Sequence, residues 1–106
     1  MNVLNTIKHR VSQEKTEVYN HVFEKCEVHQ ISFLDVKTAI INGNIYAVLT
    51  HDPRYTRYII CGTFDFFDIL NQEWIERELF VVCILQNKLV TLKTIYLDYF
   101  DEHYEI

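Results

Sequence analysis

Residues 31–62 read ISFLDVKTAIINGNIYAVLTHDPRYTRYIICG, and they hold in order a helix, its stop and two strands. Ser32 is placed to cap the helix, and Asp35, three residues on, stands where a capping box has Glu. Phe33, Val36 and Ile40 recur at i, i+3 and i+7, joined by Leu34 and Ile41, so one face is apolar. Gly43 ends the segment, free as a glycine to take positive φ. Strands follow at 45–50 and 57–61. Between them His51, Asp52, Pro53, Arg54, Tyr55, Thr56, Arg57 and Tyr58 crowd polar and aromatic groups into one connection.

Working outward, Leu4, Ile7 and Val11 have helical spacing, giving an amphipathic helix over 1–12 that covers the sheet. Tyr19, Val22, Phe23 and Cys26 repeat the pattern in a second helix, after a brief extended segment at 16–19. Residues 79–85 are apolar throughout, which suits a central strand covered on both faces. Gln86, Asn87 and Lys88 turn into a last strand over 89–97, because Asn tolerates left-handed backbone. The long connection 63–78 carries Phe66, Phe67, Ile69, Leu70, Trp74 and Ile75 among acids. It fits a short amphipathic helix or an extended hairpin equally well.

The expected fold is one α+β domain over 1–106, with two to three helices packed on one face of a mainly antiparallel sheet of about four strands. A chain of 106 residues, 49% apolar, buries enough core for a net stability of roughly 5–10 kcal/mol. No apolar run reaches the length that crosses a bilayer, and the N-terminus lacks the order of a signal peptide. A cytoplasmic protein with no membrane partner is the expectation. Cys26, Cys61 and Cys83 sit in apolar patterns and read as buried, reduced thiols. The net charge of −5 concentrates in Asp65, Asp68, Glu73, Glu76 and Glu78, and in a tail over 98–106 with Asp98, Asp101, Glu102 and Glu105. Such a field repels phosphate backbones.

The order of elements resembles the bacterial family catalogued as domain of unknown function 4258, related to toxins of the RelE and BrnT type. The resemblance rests on His21, on Ile31-Ser32, on Ala39 to Ile45 with Asn42-Gly43 at its centre, and on Asp52. It continues through the strand ending at Gly62, then Leu79-Phe80-Val81-Val82, then Leu92 to Tyr96. Two departures stand out. The acidic-aromatic insertion replaces a short turn, and Phe80 stands where the family has a His. The resemblance implies a RelE or BrnT-like fold and, if activity is retained, an endoribonuclease.

Such a nuclease needs a proton acceptor, a proton donor and a cation for the phosphorane charge, roles open to His21, His51, Arg54, Arg57 and Tyr58. Solvated turn residues and a helix cap explain the same residues without catalysis. Cys26 and His29 have a legal metal spacing, with His21, Glu24 or His103 to complete a set, but no CxxC or HExxH supports it, so no metal is expected. With only Gly43 and Gly62, no glycine-rich loop cradles a nucleotide, and no cofactor is expected. The insertion points elsewhere. Phe66, Phe67, Leu70 and Trp74 beside Asp65, Asp68 and Glu73 have the make-up of an aromatic anchor with a charged rim, the composition of a protein-binding surface. The same rings could instead fold back to fill the core. The first reading is a small non-catalytic module that binds another protein, as a regulator, inhibitor or immunity-type protein. The second is the toxin, with RNA as its partner. The third is a homodimer formed through a strand edge.

Overall fold

The computed structural model describes residues 2–50 and 54–97. His51, Asp52, Pro53 and the acidic tail with His103 lie outside the described residues. The elements are α1 (Val3–Ser12), β1 (Thr16–Val18), α2 (Asn20–His29), α3 (Phe33–Asn42), β2 (Asn44–Leu49), β3 (Arg57–Asp68), β4 (Glu73–Gln86) and β5 (Leu89–Tyr96). The strands form one sheet in the order β1-β5-β4-β3-β2. Every pairing is antiparallel except that of β1 with β5. The three helices share one face, so the fold is α+β as expected. The fifth strand is the short extended segment before α2, which pairs parallel to the last strand through Thr16↔Val90 and Val18↔Leu92.

Each helix is set by a local signal. The α3 capping box is complete: the Asp35 amide donates to Ser32 Oγ at 3.3 Å, and the Ser32 amide donates to Asp35 Oδ2 at 2.9 Å. Its buried face is Val36, Ala39 and Ile40, where a fully buried Val or Ile contributes roughly 1.5–3 kcal/mol. Asn2 caps α1, its Oδ1 accepting from the Asn5 amide at 2.8 Å, and Ile7 and Val11 point inward. At its C-terminus α2 passes into Gln30, whose φ of 59° is left-handed.

Gly43 corrects the sequence reading. Its φ is −88° with ψ 178°, an extended conformation that any residue adopts. The glycine is needed for room: a Cβ there would lie 2.6 Å from the Ala39 carbonyl oxygen and 2.7 Å from that of Cys61. Gly62 meets the same turn of α3 more closely still, since a Cβ would stand 1.7 Å from Ala39 O. Next to Gly43, Asn42 clasps the sheet at Thr63, the residue after Gly62. Its Nδ2 donates to Thr63 O at 2.8 Å and its Oδ1 accepts from the Thr63 amide at 2.9 Å, so a side-chain amide takes the place of a strand residue beside β3.

The core lies between helices and sheet, with Ile7, Val11, Val22, Val36, Ile40, Ile60, Leu79, Val81, Leu92 and Ile95 fully buried. On the other face Ile59, Val82 and Tyr96 form a smaller cluster with Ala47, Leu49 and Phe80. β4 is thus the central strand and is buried on both sides, as the run 79–85 implies. Asn87 takes the turn before β5 with φ 54°. Cys26 and Cys83 are buried, whereas Cys61 is half-buried on the helix-free face, its Sγ 3.5 Å from Glu78 Oε2. Among the described residues no helix is long and apolar enough to cross a membrane.

Candidate interaction site

The insertion 63–78 is an extended hairpin. β3 and β4 stay in register from Tyr58↔Cys83 to Asp68↔Glu73 without a shift. Their neighbours stop early: β2 ends its pairing at Asn44↔Cys61, and β5 at Phe80↔Tyr96. Beyond those levels β3 and β4 form, among the described residues, a two-stranded ribbon, the arm.

Alternation along the ribbon sorts its side chains. Toward the helices lie Phe64, buried, then Phe66, half-buried, with ring centroids 6.4 Å apart. The guanidinium of Arg77 sits over the Phe66 ring at 5.0 Å. The helix-free face carries three directly opposed pairs: Thr63 and Glu78, Asp65 and Glu76, Phe67 and Trp74. Phe67 and Trp74 touch at a centroid distance of 5.3 Å, yet stay 42% and 69% exposed. Ile69 and Leu70 occupy the turn, Leu70 at 94% exposure. The structure therefore divides the expected anchor set. Phe66 belongs with the core, while Phe67, Trp74 and Leu70 face solvent beside Asp65, Glu73, Glu76 and Glu78, all exposed.

The turn is built by Asp68. Its Oδ1 accepts from the amides of Leu70 at 3.0 Å and Asn71 at 3.4 Å, and its Oδ2 from Asn71 Nδ2 at 2.8 Å. The Asn71 side chain first, and the two amides after it, hold the Asp68 carboxyl below its ordinary pKa, because they bond the ionised form.

A second cluster lies at the opposite end of the sheet, and Lys93 is its centre. The β4–β5 register passes from Val82↔Thr94 to Cys83↔Leu92, so Lys93 is the extra residue of a bulge, a device that re-aims a side chain. Its Nζ stands 5.2 Å from the ring centroids of both Tyr19 and Tyr55 and 3.3 Å from Tyr55 Oη. The Arg54 guanidinium lies 5.4 Å from the Tyr55 ring. The hydrogen bond from Lys93, with a further one from Arg57 and the charge of Arg54, lowers the Tyr55 pKa. Of the residues suited to a nuclease, Arg54 and Arg57 meet here. His21 is near in sequence to Tyr19, at the exposed start of α2 with Nδ1 3.8 Å from Glu24 Oε2. Tyr58 packs toward the helices against the main core, so β-alternation separates it from Arg57. His51 lies outside the described residues.

No protein-family model, curated protein or solved structure matches this chain.

Tyr19, which by spacing belongs to the second helix, is its N-cap, and neither it nor Lys93 nor Lys25 stands out in the sequence as a site residue. A bulge leaves no mark in hydropathy, so Lys93 read as one more strand residue. Lys25 had a signal, a lysine three residues after Val22 and next to Cys26 on the face of α2 that helical spacing turns inward. It is only 7% exposed, and its Nζ lies over the Tyr96 ring at 4.9 Å. Cys26 faces the core, and burial, with the charge of Asp35, pushes its thiol pKa up. That disfavours the thiolate a metal requires.

Proposed function

We propose that the protein is a small, non-catalytic, cytoplasmic binding module that docks on another protein through the arm, as a regulator, inhibitor or immunity-type protein in bacterial or phage conflict. The observation that carries this reading is the pair of Phe67 and Trp74, in contact with each other and exposed on a ribbon that no other strand among the described residues supports. Monomer stability does not reward such exposure, whereas a partner that covers the rings gains their apolar area. The surrounding carboxylates form a polar rim. The conflict setting rests on the resemblance to the family of domain of unknown function 4258.

The toxin reading has its own support in the cluster of Lys93, Arg54, Arg57 and Tyr55, which gathers cations and a perturbed phenol on one face. One experiment separates the two. A photo-crosslinking amino acid replaces Leu70 in the native host, in the wild-type background and in Phe67→Ala/Trp74→Ala. A protein adduct present in the first and lost in the second is the expected result. Equal adducts in both overturn the docking arm. Growth arrest by the wild type, relieved by Arg54→Ala, selects the nuclease instead.

A further inference from the structure

We infer that the arm's partner presents an extended, arginine-bearing segment that adds as a strand to the free edge of β3, with its cations at alternate positions. The inference rests on the docking-arm reading and names the chemistry of the occupant.

The backbone supplies the edge. Both polar groups of Thr63 point away from β4, since Asn42 takes them both. Backbone direction alternates along a strand, so Asp65 and Phe67 turn their N–H and C=O the same way. Among the described residues no strand pairs with β3 on that side beyond Cys61. Asn42 thus occupies the first position of a pairing line whose next two positions lie open to an incoming strand.

The side chains supply the charge preference. Asp65 and Glu76 stand directly opposite each other on the helix-free face, and Glu78 follows one pair inward. Like charges so placed destabilise a ribbon. The arm's only cation, Arg77, is on the other face over Phe66, so nothing within the arm relieves the repulsion. A cation from outside does. The next pair outward is Phe67 with Trp74, whose exposed faces attract a guanidinium by cation–π contact. Carboxylates and rings repeat at the two-residue period of a strand. An occupant with arginine at every second position therefore places one guanidinium between Asp65 and Glu76 and the next over the rings. Arginine suits both places, by its paired donors and its planar face. The same carboxylates repel a nucleic acid.

The test uses the full chain and a fluorescent decapeptide of alternating Arg and Thr, read by anisotropy at about 50 mM salt, where surface charge is little screened. Controls are a peptide of the same composition in two blocks, and two versions N-methylated on one or the other alternating set of amides. Binding of the alternating peptide is expected, weakened about tenfold or more by Asp65→Asn/Glu76→Gln and likewise by Phe67→Ala/Trp74→Ala. One N-methylated version should lose about as much and the other nothing, because only one set faces the ribbon. Unchanged melting temperatures of the variants establish that the body is intact. No binding by the alternating peptide, equal affinity for the block peptide, or equal affinity for both N-methylated versions overturns the strand. Equal binding by Asp65→Asn/Glu76→Gln overturns the cationic occupant. A host adduct at Leu70 that depends on Phe67 and Trp74 but survives Asp65→Asn/Glu76→Gln also overturns it, while leaving the docking arm in place. Equal host adducts with and without the two rings bring down the arm reading itself.

Discussion

At Gly62 the helix touches the sheet. The absent Cβ would lie 1.7 Å from Ala39 O, 2.6 Å from its carbonyl carbon and 2.9 Å from its Cα, all backbone atoms that cannot swing aside as a side chain would. Gly62→Ala must push α3 off β3 and open the Asn42 clasp one residue away. We expect a loss of about 3 kcal/mol or more, at or beyond the upper end of ordinary overpacking, seen as a lower urea midpoint with an unchanged slope. Asn42→Ala breaks two exposed hydrogen bonds and should cost only about 1–2 kcal/mol. These residues also mark how far a sequence can be read. Gly43 and Ser32 are legible as a stop and a start because caps are local. That Gly43 and Gly62 flank one turn of α3 is a tertiary fact, and the reason for Gly43 is correspondingly different from the local one.

At the scale of the element, the arm depends on its turn. Asp68 receives three hydrogen bonds as a carboxylate, so its pKa in the folded protein lies below the unfolded value. The stabilisation is complete above the unfolded pKa and is lost as pH falls through the depressed folded one. Titrated by NMR, the amide signals of Leu70 and Asn71 should therefore show a midpoint on the acid side of the ordinary Asp value. Asp68→Ala should abolish that step and speed their exchange at neutral pH. A step at or above the ordinary Asp value contradicts the geometry. The insertion's conformation was open in the sequence for a physical reason. Phe66, Phe67, Leu70 and Trp74 fit helical spacing as well as Phe64 and Phe66 fit alternation. Pairing with 57–62 decides it, because the β3–β4 register simply continues outward. The acidic and aromatic composition of the site was readable throughout, whereas its division between two faces waits on that register.

For the whole molecule, the uneven support of β3 and β4 sets a gradient of stability. Around Ile59 and Val82 the two strands have neighbours on both edges and buried side chains on both faces. From Thr63 outward, among the described residues, they pair only with each other apart from the Asn42 clasp at Thr63, with Phe64 and Phe66 packed on one face. A lone two-stranded ribbon is marginal in water, so the arm should open locally at a cost of about 1–3 kcal/mol while the body opens only with global unfolding at roughly 5–10 kcal/mol. Hydrogen exchange followed by NMR tests this. The amides of Phe64 and Phe66, which face β4, should exchange orders of magnitude faster than those of Ile60 in the same strand and of its partner Val81 in β4. A single shared protection level along β3 would make arm and body one cooperative unit. If the gradient holds, any occupant of the arm also orders it, and part of the binding free energy offsets that opening. Protection at Phe64 and Phe66 should then rise with occupant concentration toward that of the body, while protection at Ile60 changes only as far as global stability does.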